Sequence, residues 1–384
     1  MNREAGRKTN RTWRAALVVL IAFMMIVGSL PMGTTRAASP KLKLIITGGN
    51  GGVPGNDGSV ELFEQGEVDP IYSKIGDVIP DPDDLMTGDT GLWPNHITTA
   101  AGDDIGGSAK VDASGSDVTL TALTIIGGDA ASDSDGGDAT FVSSRLDAES
   151  IIVESGELPS SPPPTPPEPG IATLDVGTLV VKRMEPGPAY SLTLGENINL
   201  EIKTYEFNIT DAEDNDELLI VSGDTDELPF GEIIIRGVHG LAPGEVIALI
   251  RNADISDING CIISDEGDVF LLSHDTGSAS LNAKYTGIHI EPPSLSLSAT
   301  AGYAPFAPEP ITVTNNSGGD LDEIDAYLQT SIDGVDSFFE ITVSENAIDD
   351  SYIDVSIGDS VEFYVKPYNG LQNRKRKFLE FLYR

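Results

Sequence analysis

Four aspartates, Asp129, Asp133, Asp135 and Asp138, crowd into the segment GGDAASDSDGGD at 127–138. Carboxylates and carbonyls spaced this way through a glycine-rich turn can bracket a hard oxygen-seeking cation such as calcium. A second acidic turn, GDDIGG, lies at 102–107. The strict nine-residue calcium repeat of some β-helices is absent. Two readings therefore stand, solvated acidic turns or a weak calcium site with those four aspartates as ligands. Asp-Thr-Gly occurs at 89–91 and 275–277, and aspartic proteases need two such aspartates sharing one proton. They also need apolar residues just before each one, where Gly88 and His274 stand here, so the protease reading is not adopted. Carboxylates lined up along a strand face serve polysaccharide lyases and glycosidases, but none of the 61 acidic residues sits in a setting that marks it out. Aromatic material for stacking on a sugar is scarce: Trp93, Tyr72 and His96 flank the inserted loop, and Trp93 reads better as a loop anchor. No catalytic residue is assigned. Four histidines at scattered positions and one cysteine leave little for a zinc site. Cys261 also excludes an intramolecular disulfide framework and reads as a small hydrophobe.

The elements that must position these groups are set by composition and pattern. The chain has 384 residues, 41 Gly, 24 Pro and 40% hydrophobic residues, with a net charge of −38. That is enough apolar material for a packed fold, and the acidity excludes a general nucleic-acid binder, since phosphates would be repelled. Arg3, Arg7, Lys8, Arg11 and Arg14 precede the uncharged run Ala15–Leu30, and Thr35-Arg36-Ala37 follows with small residues at alternate positions. This layout predicts a secretory signal peptide over residues 1–37, cut near Ala37. The run is short for a membrane span, and no second apolar run of spanning length follows. Residues 1–37 hold six of the 23 bases and one of the 61 acids, so residues 38–384 carry 17 against 60, a net of −43.

Residues 38–185 show a loose repeat. ITTAAGDDIGGSAKV from Ile97 and IIGGDAASDSDGGDATFV from Ile125 start 28 residues apart. IITGGNGGVPGNDGSVEL from Ile45 is an earlier relative. IATLDVGTLVV from Ile171 sets beside DATFVSSRLDAESIIV from Asp138 as a half-copy. Each unit joins a Gly/Asp turn to short Val/Ile/Thr/Leu runs, such as 118–126 and 150–153. A unit this small cannot bury its own apolar face, so it must stack, which predicts a β-solenoid. Residues 63–96 read as an inserted loop and 159–169, PSSPPPTPPEP, as a polyproline-type spacer. Residues 186–289 continue with β-type runs at 198–202, 205–209, 217–223, 231–237 and 240–250, a solenoid continuation or cap. Residues 290–384 alternate with period two at 294–298, 311–315, 339–344, 352–358 and 360–367, as a β-sandwich does. The fold class is all-β, a Gly/Asp-rich solenoid followed by a sandwich.

ITVTNNSGG and FYVKPYNGL in the last part resemble the opening and closing strands of immunoglobulin-like repeat modules of bacterial surface proteins. The likeness covers about 80 residues. The Gly-rich repeats, with GEVIALI at 244–250, resemble the β-solenoid regions of large secreted, autotransporter-like surface proteins. The resemblance implies an exported multi-module protein with a structural or adhesive role at the cell envelope and no chemistry of its own. Its partners would be envelope polymers or extracellular glycans and proteins, with calcium the only cofactor to consider. The alternative is a secreted polysaccharide-active β-helix enzyme. After Gly370-Leu371 the module pattern expects a glycine and a final strand, but the chain reads QNRKRKFLEFLYR. That departure predicts a module left incomplete by truncation or a shifted frame. The other reading is a basic tail for anionic wall polymers.

Overall fold

The computed structural model describes residues 42–52, 57–64, 67–75, 96–99, 106–160, 167–183, 188–223, 228, 231–253, 260–275, 279–294, 307–319, 321–324, 339–343, 346–347 and 353–367. Among them every regular element is a strand. The predicted signal segment, Trp93, Asp89, most of the predicted 63–96 loop and the basic run 374–377 lie outside the described residues. Part of that predicted loop is nevertheless regular. It begins inside β2 (Ser59–Glu64) and contains β3 (Tyr72–Ile75), which pairs antiparallel with β2.

The solenoid is built from three parallel ladders. β1 (Leu42–Thr47) lies parallel to the second half of β5 (Ala109–Ile126). β4 (His96–Thr99) pairs antiparallel with the first half of β5. β5 bends at Gly115, whose φ of 101° is one that glycine adopts without strain, so one strand serves more than one ladder. β6 (Ala139–Glu154) stacks on β5, β7 (Ala172–Lys182) and β8 (Tyr190–Leu194) stack on β6, and β9 (Asn199–Asn208) stacks on β7. β10 (Glu217–Gly223), β11 (Glu232–Arg236) and β12 (Val246–Arg251) carry the parallel pairing onward from β8, β9 and β10. The result is about four turns of solenoid, and the parallel ladder runs without a break across residue 185.

The period-two pattern does the folding. Alternate side chains point inward, and equivalent positions stack into columns: Val111, Phe141 and Leu174 in the first ladder, Leu146, Leu179 and Tyr205 in the second, Leu44, Leu123, Ile151 and Leu192 in the third. All of these are buried. Burying each large side chain contributes about 1.5–3 kcal/mol, so the core grows by the same amount with every added turn.

The repeat aligned from Ile97 and Ile125 is corrected in its first half. GGSAKV does lie in register with GGDATF, through Ala109 opposite Ala139. Ile97, however, sits in the antiparallel strand β4, and the residue stacked beside Ile125 is Ile46 of β1. Parallel and antiparallel partners share the same pleat, so composition alone does not tell them apart. The half-copy from Ile171 is placed as the alignment had it, Ala172 opposite Ala139.

Glycines close one corner. Where the chain leaves the third ladder and enters the first, backbones touch directly. Gly49 N donates to Gly107 O (2.7 Å), Gly137 N to Gly49 O (2.9 Å), Gly128 N to Gly137 O (2.8 Å), Gly170 N to Gly128 O (2.8 Å) and Gly156 N to Gly170 O (3.0 Å). A Cβ on Gly128 would lie 2.0 Å from Gly49 O, and one on Gly136 would lie 1.8 Å from Gly128 O. Any side chain there would force the seam open.

Both ends of the third ladder are covered by antiparallel strands, β2 on β1 and β15 (Ser280–Glu291) on β12. β13 (Gly260–Ile263) and β14 (Asp268–Asp275) complete the meander with β15. Beyond it come β16 (Glu309–Asn315), β17 (Leu321–Ile324), β18 (Phe339–Val343), β19 (Asn346–Ala347), β20 (Ile353–Val355) and β21 (Ser360–Pro367). β16 pairs with β15 and β21, β18 pairs with β21 and β19, and β17 pairs separately with β20.

Candidate functional site

A groove of about 720 Å³ runs over the outer surface of the third ladder. Its floor follows from register. Lys43, Ala122 and Ser150 stack from turn to turn, followed by Ser191 and Ile220. Small side chains at the three middle positions leave the space. The floor's polar groups are partly used internally, since Ser191 Oγ donates to Ser150 Oγ (3.0 Å) and Thr121 Oγ1 to Leu42 O (2.9 Å). Phe63 and Glu64 of β2, with Glu67 and Val68 in the following turn, form one wall; Pro188 and Ala189 lie toward the other end. Val68 is 89% exposed, an unusual position for a branched aliphatic side chain. Three carboxylates, Glu64, Glu67 and Glu149, face one base, Lys43, around a mainly apolar interior. The groove holds residues suited to binding, and among the described residues its three carboxylates are candidates for acid–base work.

The aspartates singled out from the sequence lie at the glycine seam, on the turns that protrude from it. Asp129 Oδ1 accepts Glu157 N (2.9 Å), Asp135 Oδ1 accepts Glu168 N (2.7 Å) and Asp138 Oδ1 accepts Ile171 N (2.9 Å). Asn50 does the same for the turn before, its Oδ1 accepting Asp129 N (2.9 Å). Each carboxylate therefore hooks a backbone N–H of the next turn of solenoid. The outer two hooks, to Glu157 and Glu168, hold both feet of the proline-rich segment. Asp133 is exposed on the same turn and lies near Gly52. No group of three or more His, Cys, Asp or Glu among the described residues converges for a metal ion.

Two buried polar centres escaped the sequence. Glu206, with a side chain only 5% exposed, projects from the second ladder between two arginines. Arg145 Nη1 and Nη2 donate to its two oxygens at 2.8 and 2.5 Å, and Arg236 Nε lies 2.9 Å from Oε2. Arg236 reaches on to Asp265 at 3.5 Å. The bidentate Arg145 contact, opposed by burial and reinforced by Arg236, holds the Glu206 carboxyl below the usual range. The second centre is Asp268 at the C-terminal cap. His239 Nε2 meets Asp268 Oδ2 and His289 Nδ1 meets Oδ1, each at 3.1 Å, and the Tyr285 hydroxyl donates to Oδ1 at 3.3 Å. Leu241 N donates to His239 Nδ1 (3.0 Å), so the His239 proton sits on Nε2 and points at the carboxylate. Burial pushes Asp268 up, but the histidine hydrogen bonds outweigh it and the carboxyl sits below its ordinary value. Burial first, and the Asp268 charge second, push the Tyr285 phenol up to about 12.

The histidines looked scattered because they are 50 residues apart in sequence; the strand register of β14 on β15 brings Asp268 opposite His289. A signal for Glu206 was present, an acid at a strand position between β-branched neighbours in two adjacent turns, Val180 and Ile234. The second Asp-Thr-Gly begins at Asp275, the last residue of β14, opposite Ser280. Cys261 is half-buried in β13. Tyr72 is half-buried against the core. No protein-family model, curated protein or solved structure matches this chain.

Proposed function

We propose that this is an exported structural or adhesive protein of the cell envelope, with the solenoid as a rigid stem and the strands after β15 as an immunoglobulin-like module. The observation that carries this reading is the continuous, backbone-knitted ladder with both ends of its third ladder covered. Covered ends prevent strand-to-strand polymerisation and leave the lateral faces for contact. The module reading is supported by the β16–β21 pairing, which joins the two strands of the family-like motif, Ile311 opposite Phe363. It is further supported by Asn315, fully buried, whose Nδ2 donates to Val355 O (2.8 Å) and Gly319 O (3.0 Å), tying β16 to the separate β17–β20 pair. No helix among the described residues is long and apolar enough to cross a membrane.

The test is fractionation with N-terminal sequencing and a binding assay. Secreted or envelope-bound protein starting near Ala38 that binds envelope polymers or extracellular glycans or proteins is expected. Intact Met1 in a cytosolic fraction overturns the export reading. A second reading, a polysaccharide-active enzyme, is favoured by one observation, Glu64, Glu67 and Glu149 around a single groove. Release of reducing or unsaturated ends from a panel of polysaccharides, lost on Glu149→Gln, would establish it in place of the first.

A further inference from the structure

The groove crosses the strands of the third ladder, and that decides what can lie in it. Its floor, Lys43, Ala122, Ser150, Ser191 and Ile220, comes from β1, β5, β6, β8 and β10 in turn, a length of about 19 Å at the usual strand spacing. Each of these strands is paired on both sides, so the floor has no free backbone edge. A peptide lying there would lack the edge pairing by which extended segments bind a sheet, and side chains alone would meet its N–H and C=O groups. The floor presents hydroxyls instead. Ser191 Oγ donates to Ser150 Oγ, which leaves the Ser150 proton and the Ser191 lone pairs for a ligand. Half-buried Phe63 stands in the wall, with Pro188 and Ala189 toward the other end. Hydroxyls beside an aromatic and a few aliphatic groups suit sugar rings, which have polar edges and apolar faces. Charge narrows the choice. Glu64, Glu67 and Glu149 stand around the groove against Lys43, and no ion pair among the described residues engages the three carboxylates. Residues 38–384 carry 60 acids against 17 bases, so the surrounding surface also repels anionic polymers.

We propose that the groove binds an oligosaccharide of amino sugars with free, protonated amines. Its ammonium groups lie at Glu64, Glu67 and Glu149, its hydroxyls on Ser150 and Ser191, and one ring face on Phe63. Lys43 opposes the amines, so it limits affinity rather than serving it. The assignment rests on the adhesive reading and deepens it, by naming the class of glycan that is held.

The experiment is calorimetric titration of the full chain with a glucosamine tetramer, at mildly acidic pH where its amines are charged. The N-acetylated tetramer, which keeps the rings and loses the charge, is the control. It should bind about tenfold more weakly, the combined effect of three partly exposed ion pairs. Glu64→Gln, Glu67→Gln and Glu149→Gln together should erase the difference between the two oligomers. Lys43→Gln should tighten the glucosamine tetramer about threefold and leave the N-acetylated one unchanged, a gain that a misfolded variant could not produce. Equal binding of the two oligomers by the starting chain, or a preference that survives the triple change, overturns the assignment. Tetralysine binding more tightly than the glucosamine tetramer also overturns it and gives the groove to a basic protein partner. A chain that ignores the glucosamine tetramer but holds another glycan or a protein loses this assignment and keeps the adhesive reading; a chain that binds none of them loses both.

Discussion

A corner and a face of the solenoid are held together by opposite means. At the seam between the third and first ladders, Gly49, Gly107, Gly128, Gly137, Gly156 and Gly170 bring backbone onto backbone. On the second ladder, Arg145, Glu206 and Arg236 tie separate turns through long side chains and one buried charge. The first closure works because nothing occupies the space; the second works because every charge has a partner. The difference lies in what each tolerates. The seam cannot accept a single added carbon, while the charged node can accept any set of side chains that leaves no charge alone.

The largest effect should come from Gly128→Ala. Three backbone atoms, the nearest 2.0 Å away, would meet the new Cβ, so the seam must shift. A loss of about 3–5 kcal/mol is expected in denaturant unfolding. Gly115→Ala is the contrast, because nothing lies within 4 Å of its Cβ and only its positive φ opposes the change. It should cost about 1 kcal/mol. Equal losses at the two positions would mean that the seam yields to a methyl group as readily as the bend at Gly115 does, and that the close backbone approach does not require glycine there.

Glu206→Gln comes next. It leaves Arg145 and Arg236 facing a neutral amide; since both arginines are partly exposed, about 2–3 kcal/mol should be lost rather than the full value for a buried pair. Arg145→Met, Glu206→Leu and Arg236→Met together should recover most of it. If the triple variant is no better than the single one, the node contributes more than charge neutralisation.

The Asp268 centre predicts a pH signature at each extreme. Its folded carboxyl titrates below its unfolded value of about 3.9. Its contribution is therefore present above that value and is lost as pH falls through the depressed one. Tyr285 is raised to about 12, so its contribution holds below about 10 and fades as pH climbs from there toward 12. Asp268→Asn should flatten the acid limb of a stability–pH profile and shift the alkaline limb downward. An unchanged acid limb would remove Asp268 from the account.

The hooks predict smaller differences within one turn. Asp129→Ala frees the Glu157 amide and should cost about 1 kcal/mol, and Asp133→Ala should fall within about 0.5 kcal/mol of the starting protein. Similar losses would mean that charge, not hooking, explains the acidic turn. Calcium at Asp129, Asp133, Asp135 and Asp138 gives the finest test. If it binds, millimolar calcium raises the melting temperature beyond sodium chloride of equal ionic strength, and replacing all four with Asn abolishes the excess. Equal action of the two salts leaves Asp129, Asp135 and Asp138 as hooks and Asp133 as a solvated carboxylate.

The all-β class and stacked repeats were legible because a two-residue pleat and a recurring Gly/Asp turn are local signals. ELLIVSG at 217–223 and SVEFYVKP at 360–367 became β10 and β21 with those bounds. The Gly/Asp turns were also legible as special, but their role was not. A carboxylate hooking an amide 28 or 33 residues ahead uses the same residue types as a cation site. The groove was not legible at all, since its floor is assembled from Lys43, Ala122, Ser150, Ser191 and Ile220, one from each stacked strand.

The sequence by itself determined which residues face inward, that the units must stack, and that the turns are built of glycine and acid, because these follow from nearest-neighbour sterics and apolar periodicity. Only the tertiary structure decided the partners. Whether β4 or β1 lies beside β5 as its parallel neighbour, which arginines reach Glu206, and which histidines meet Asp268 all depend on register between strands dozens of residues apart. A local pattern fixes a strand's two faces but leaves its neighbour open, and that choice is made by the summed packing of the whole column.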